Sequence, residues 1–322
     1  MPNPIEQTIK TIIDDFCLKP VAIRNSQYGN EINYKICSDK CRGECRIFKS
    51  NDHLCLILLN VEIITDIEIN FNNVNCVYLS YYRDLSAEYR IGENSVRLMN
   101  GMMYTNSGTI NRGCTVFFAD SQADGMILLI DQDKWLEQIW SNSESNIIKF
   151  SEINGLFMLP TIEPIIVQIE RCPIRDNDEL SHIFYNGKIH EIMSILTDAV
   201  LKKKQSSADY ASIDRDDVSF IISVAEYIQN NLDQEIDVVM LTNMAKMSRA
   251  KLYYSFKYMI GMTMFEYRNA LRGRKAKNLL TKTDIPINEI AENIGFSSAS
   301  TFSRFFKDMY GITPYKYRKM DL

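Results

Sequence analysis

Histidine is scarce in this chain: three residues in 322, at positions 53, 182 and 190. A d-block metal held for catalysis draws several imidazole and carboxylate ligands around one ion. Only His53 falls in the strand-rich half, so a metalloenzyme site is not indicated and no cofactor is expected. No run approaches the ~20 consecutive apolar residues of a membrane span. The opening residues MPNPIEQTIK lack a basic segment followed by an apolar one, so no secretion signal is expected and the cytoplasm is the default compartment. No nucleophile elbow and no phosphate-binding loop is evident, which leaves no candidate catalytic residue. Cysteine is not scarce, with eight residues, all before position 173. In a cytosolic chain these are free thiols rather than disulfides.

Acidic side chains are few towards the end of the chain. Residues 241–322 hold 15 basic and 6 acidic side chains, a net +9, whereas residues 1–240 hold 21 and 35, a net −14. A basic block on an acidic protein is the electrostatic footprint of a nucleic-acid module joined to something else. The length suits about two domains, each large enough for its own core. A hydrophobic fraction of 46% with 24% charged residues is that of a soluble globular protein.

Within the basic block, Thr283–Arg318 reads TDIPINEIAENIGFSSASTFSRFFKDMYGITPYKYR. Ile287, Ile290, Ala291 and Ile294 follow helical spacing, and Pro286 suits a first turn. Gly295 allows a tight turn. Ser297 or Ser298 can cap a second helix carrying Phe302, Phe305, Phe306 and Met309. Gly311 ends that helix, and Thr313-Pro314 starts another. This is a helix-turn-helix pattern. Leu252, Phe256, Lys257, Gly261, Thr263, Tyr267 and Arg268 stand 50 residues before Phe302, Phe306, Lys307, Gly311, Thr313, Tyr317 and Arg318. Seven coincidences at one offset make an internal repeat.

The stretch resembles the second DNA-binding motif of the AraC/XylS family of bacterial transcription regulators. The match rests on Ile290-Ala291, Gly295-Phe296, Phe302, Phe306-Lys307, Gly311, Thr313-Pro314 and Tyr317-Arg318. The resemblance implies two recognition helices entering successive major grooves of double-stranded DNA, and RNA polymerase as a partner. Lys246 stands where the family often has glycine. The residues implied to face DNA are Arg249, Ala250, Tyr253 and Tyr254 in the first motif, and Ser298, Ala299, Ser300, Ser303, Arg304 and Lys307 in the second. Arginine addresses guanine or phosphate, and tyrosine offers a hydroxyl and an apolar ring edge. In the helix between the motifs, Arg268, Arg272, Arg274, Lys275 and Lys277 are candidates for phosphate contact or for a solvated face. Gly273 could allow a bend there.

From Val21 to about Ile130, short runs rich in Ile, Val, Tyr and Phe alternate with turn residues, a sandwich or barrel pattern. In the AraC family this position usually holds a cupin-like barrel that binds the effector. The expected fold is therefore α+β: a cupin-like β-barrel with flanking helices at 1–205, a linker at 206–217 within the polar run Lys202–Asp217, and an all-α double helix-turn-helix domain at 218–322. Asp131–Ser141 is expected as a helix, 142–160 as loop, and Glu163–Cys172 and Asn177–Lys204 as helices. Tyr81, Arg83, Arg90 and Tyr104 could line a pocket for an aromatic, anionic ligand, or lie on an ordinary sheet face. Leu180, Ile183, Ile189, Ile192, Leu196 and Val200 form a broad apolar stripe, which the family resemblance makes a homodimer contact. Ile169, Cys172-Pro173, Ile183, Tyr185, Lys188 and Glu191-Ile192 resemble the linker of the siderophore-responsive, pyochelin-regulator-like branch, implying a siderophore-like effector. Two other readings stay open: a cupin-type enzyme with a DNA-binding module, and a redox or metal sensor built on Cys37, Cys41 and Cys45. For the sensor, Lys40, Arg42 and Arg46 would favour thiolates.

Overall fold

The computed structural model describes residues 4–26, 29–50, 54–91, 94–107, 109–131, 155–157, 159, 161–173, 178–207 and 215–319. They fall into two compact units, Met1–Tyr210 and Ala211–Leu322. No helix among the described residues is long and apolar enough to cross a membrane.

The first unit opens with α1 (Pro4–Asp15), which buries Ile5, Ile9 and Ile12 at helical spacing. The strands are β1 (Leu18–Ser26), β2 (Gly29–Cys37), β3 (Cys41–Ser50), β4 (Leu54–Ile63), β5 (Ile67–Asn75), β6 (Val77–Asp84), β7 (Ala87–Ile91), β8 (Asn94–Leu98), β9 (Met103–Asn106), β10 (Thr109–Phe117), β11 (Ser121–Ile130) and β12 (Gly155–Phe157). They make two sheets, one in the order β1-β2-β3-β4-β11-β6-β9-β12 and one in the order β5-β10-β7-β8. Neither sheet closes on itself, so two open sheets stand where a barrel was expected.

The sequence of β4 explains the layering. Leu54 to Leu59 are all buried, with no alternation between inside and outside. Such a strand needs apolar cover on both faces. Cys55, Ile57, Leu59, Val61 and Ile63 enter a core shared with the smaller sheet and α1. Leu54, Leu56 and Leu58 enter a second core against α2 (Ile162–Glu170) and α3 (Asp178–Ser207). The neighbouring strand β11 divides the same way, Ile127 and Leu129 to the first core, Met126, Leu128 and Ile130 to the second. Ile169, Cys172, Tyr185 and Ile192, four landmarks of the siderophore-branch resemblance, belong to this second core.

Two segments differ from expectation, and a third lies outside the described residues. Within 142–160, Gly155–Phe157 is a strand paired with β9. The helix expected at Asp131–Ser141 lies, beyond Asp131, outside the described residues. The polar run after residue 202 is partly helical: α3 continues through Ser207 and α4 (Arg215–Asn230) begins before Val218. Lysine and glutamine propagate a helix well without an apolar face.

The second unit is helical in its described residues. After α4 come α5 (Val238–Ala245), α6 (Arg249–Ile260), α7 (Met264–Lys282), α8 (Ile287–Asn293), α9 (Ala299–Tyr310) and α10 (Pro314–Arg318). Leu241, Ala245, Leu252, Phe256 and Ile260 are buried around the first helix pair. Ala276, Leu280, Ile290, Ala291, Ile294, Phe302 and Phe306 form the core of the second. Burying one phenylalanine contributes about 1.5–3 kcal/mol. Phe302 and Phe306 together therefore outweigh the ~1 kcal/mol of an N-cap in fixing where α9 lies.

Candidate nucleic-acid interface

The two helix pairs repeat in their caps as well as in their cores. The Ser248 hydroxyl accepts from the Lys251 amide at 3.3 Å, and the Ser298 hydroxyl from the Thr301 amide at 3.2 Å. Both α6 and α9 end on a glycine with positive φ, Gly261 at 83° and Gly311 at 78°. Both are followed by a threonine cap, Thr263 accepting from the Glu266 amide and Thr313 from the Lys316 amide. The alternative left open between Ser297 and Ser298 is resolved for Ser298.

The turns themselves are unequal. In the first, the left-handed residue is Lys246 (φ 51°), two before the cap; in the second it is Gly295 (φ 83°), three before the cap. Lysine tolerates that conformation at roughly 1–2 kcal/mol. Its ammonium lies 5.3 Å from the centre of the Phe220 ring.

On α6, Arg249, Ala250 and Tyr253 are exposed and Tyr254 is half-buried, while Leu252 and Phe256 are buried. The Arg249 guanidinium stands 5.6 Å over the Tyr253 ring, and Tyr254 stacks on Tyr258 at 5.9 Å. On α9, Ser300, Arg304 and Lys307 are exposed, while Ser298, Ala299 and Ser303 are half-buried. The Ser298 hydroxyl is shared between the cap and the hydroxyls of Ser300 and Thr301, at 3.0 and 2.9 Å. Ser297, considered only as a cap, and Thr301 are also exposed and are not among the expected DNA-facing residues, although Ser300, Thr301 and Arg304 share one helical stripe. Lys251 was missed too. Its ammonium is held by the buried Asp217 carboxylate at 2.7 Å. No sequence signal marks that pair, because Asp217 ends a polar run.

A family model described as a helix-turn-helix domain matches residues 241–320. The C-terminal domain of the two-component response regulator yesN from Fusobacterium nucleatum is 31% identical, covers 30% of this chain and 95% of that one, and gives a TM-score of 0.29. Residues 241–320 form an AraC-type helix-turn-helix domain. The probable transcriptional regulator LumQ of Photobacterium leiognathi is 26% identical over 155 residues, 43% of this chain and 62% of that protein. The xylose operon regulatory protein of Escherichia coli K12 is 30% identical over 143 residues, 44% of this chain and 36% of that protein. The chain thus spans less than two thirds of the length of these AraC-type relatives.

The arginines of α7 do not face outward as a phosphate-contacting or solvated row would. Arg268, Arg272 and Arg274 are at most 9% exposed. Arg268 Nη1 donates to the Gln234 carbonyl at 3.1 Å, and Arg272 Nε to the Leu232 carbonyl at 2.7 Å. Burial, with Arg268 nearby, pushes Arg272 down to about 10. Lys275 Nζ donates to the Asn293 carbonyl, Lys277 lies over Tyr310, and Arg318 donates to the Ile285 carbonyl. These cations tie the AraC-type domain together.

In the first unit, Tyr81, Arg83, Arg90 and Tyr104 do not line one pocket. Alternation along β6 sends Tyr81 and Arg83 to the helix-covered face, where Tyr81 donates to Glu163 at 3.3 Å. Arg83 is clamped by Asp124 and Glu170, Nε–Oδ2 2.9 Å and Nη1–Oε2 2.8 Å, so its charge is already answered. Arg90 lies on the smaller sheet, paired with Glu88 at 3.0 Å. Tyr104 packs edge-on to Tyr89 in the first core, and burial raises its phenol. A recess of about 420 Å³ lies elsewhere, lined by Lys35, Glu44, Arg46, Asn60 and Glu170 among others.

The thiols behave oppositely to the redox reading. Cys37 ends β2 and is exposed, whereas Cys41 and Cys45 lie on the core side of β3. Burial pushes up Cys41, against the smaller opposing pull of Ser38 and Lys40. It raises Cys45 and Cys55 further and Cys76 to about 12. Arg46 does not serve the thiols; its Nη2 donates to the Glu170 carbonyl. Among the described residues no group of three His, Cys, Asp or Glu side chains could hold a metal ion.

Proposed function

We propose that this chain is a ligand-responsive transcriptional regulator of the AraC family that reads double-stranded DNA with α6 and α9 in successive major grooves. One observation carries the reading. Two capped helices at a constant 50-residue offset each present an exposed polar stripe opposite a buried apolar one. A recognition helix enters the major groove with its N-terminal residues against the base edges. In α6 those residues include Arg249, Ala250 and Tyr253, suited to base contact. In α9 Ser298, Ala299, Ser300 and Ser303 suit close approach to the backbone, with Arg304 as the long reader and Lys307 on phosphate. The AraC-type relatives named as operon regulators support a role in transcription. RNA polymerase as partner and the cytoplasm as compartment are part of the same proposed reading. The first unit is the sensor, for a small molecule of which siderophore-like compounds are one class. The recess beside Lys35 and Arg46 is the place for an anionic group of that molecule. The sensor pairs with a second copy through the exposed side of α3. The chain is not an enzyme in this reading.

Selection of duplexes from a random pool with the full chain tests it. The expected product is two short half-sites about one helical turn, ~10.5 base pairs, apart on one face. A pool that yields no preferred sequence would overturn the proposal.

A further inference from the structure

We infer that Arg272 is a positioning residue that locks the two helix-turn-helix units at one separation, so that the protein discriminates the spacing of its half-sites. The inference rests on both helices reading DNA. A single helix such as α7 sets the distance between the units it joins but leaves the second free to roll about it. Something must fix the rotation. Arg272, 6% exposed at mid-helix, does so from both sides. Its Nε donates at 2.7 Å to the Leu232 carbonyl, in the loop that leads into α5 of the first helix-turn-helix. Its guanidinium lies 5.1 Å from the centre of the Phe296 ring, in the turn of the second helix-turn-helix.

The turn closes on the same place. A Cβ on Gly295 would collide with Arg272 Nη2 and lie 2.6 Å from the Asp233 Cα and carbonyl oxygen. Glycine is needed there for that approach and for its φ of 83°. One residue along, Gly273 brings the end of α9 against α7, since a Cβ would lie 2.8 Å from the Tyr310 hydroxyl and collide with Met309. This glycine leaves room for the ends of those two side chains. Arg268 adds a second strut to the same loop, through the Gln234 carbonyl. The planar fork of arginine donates in its plane and stacks on its face at once, which a lysine or an apolar residue cannot do. Burying a guanidinium costs free energy that a residue needed only for volume would avoid.

The test uses the full chain and the duplex selected with it, alongside versions carrying one base pair inserted or deleted between the half-sites. The readout is the ratio of affinities, which is insensitive to the fraction of folded protein. Wild type is expected to lose about 30-fold on either change, the scale of one misplaced base contact or more. Arg272→Met is expected to lose less than about 5-fold, with unchanged circular dichroism. Arg272→Lys, which keeps charge but not the planar face, moves in the same direction and serves if the methionine variant does not fold. Folded variants that keep the full wild-type penalty overturn the joint. Failure of both to fold assigns Arg272 to core stability and overturns it as well. A wild type indifferent to spacing would instead sink the two-helix reading itself.

Discussion

Arg249 and Arg304 are both exposed cations on the two helices proposed to read DNA, yet their neighbours differ. Arg249 follows the cap Ser248 and is braced over Tyr253, where a helix N-terminus meets base edges. Arg304 lies further along α9 among Ser300, Ser303 and Lys307. Losing a bidentate base contact costs roughly 1–3 kcal/mol and relaxes preference at one position. Losing a phosphate contact weakens all sequences alike and lowers the salt slope by about one. Arg249→Ala is therefore expected to relax specificity, and Arg304→Ala to weaken binding evenly. Single-base variants of the selected duplex, at two salt concentrations, separate the outcomes; unchanged base preferences in Arg249→Ala would remove it as a reader. A second residue-scale prediction concerns the thiols. Burial holds Cys41, Cys45, Cys55 and Cys76 protonated well above neutral pH. Iodoacetamide on the native protein at pH 7.5 is expected to reach exposed Cys17 and Cys37 and to spare these four until denaturant is added, as read by peptide mass mapping. Fast labelling of Cys41 or Cys45 would restore the redox reading.

At the scale of the element, α3 shows how far periodicity carries. Its apolar stripe is real, but Ile192 and Leu196 are 0% exposed in the unit's own second core. They cannot also be the surface of a dimer. An aspartate at either would bury an unpaired charge and is expected to cost several kcal/mol, seen as loss of the folded sensor unit rather than as monomers. Leu180 and Ile183 are the exposed apolar residues of this helix, at 46% and 69%. Ile183→Asp is expected to leave the melting temperature unchanged while halving the sedimenting mass. A wild type that sediments as a monomer ends the dimer proposal. The helix-turn-helix units were legible because their signals are local: caps, a glycine turn and apolar spacing within a dozen residues. The strands were legible one at a time for the same reason. Their arrangement into two open sheets was not, because pairing β4 with β11 joins residues 58 to 76 positions apart, from Ile63↔Ser121 to Leu54↔Ile130, and alternation names no partner. Nor could Arg268 and Arg272 be placed, since charged residues read as surface unless the carbonyls that receive them are known. The four proposed ligand residues separate for the same reason: proximity along the chain does not say that Tyr81 and Arg83 share a face of β6 while Arg90 lies on the smaller sheet and Tyr104 packs in the first core.

For the whole molecule, the charge split and the separate cores support the proposal that the second unit reads DNA on its own. Its two apolar cores are built from its own helices. Its residues 241–322 carry the net +9, while the rest of the chain carries −14. Exposed charges more than about 8–10 Å apart are largely screened at physiological salt, so the acidic part restrains DNA binding mainly when salt is low. A fragment of residues 211–322 is therefore expected to fold, with cooperative urea unfolding, and to bind the selected duplex. Six or more phosphate contacts across two grooves would lower its affinity about 1,000-fold or more between 50 and 200 mM salt. Without the first unit, proposed as the sensor, it is also expected to ignore any small molecule that alters the full chain. Fluorescence anisotropy on both proteins across that salt range, the fragment diverging upward from the full chain as salt falls, checks the argument. A fragment that does not fold, or whose affinity is flat in salt, would show that the basic block does not act on its own.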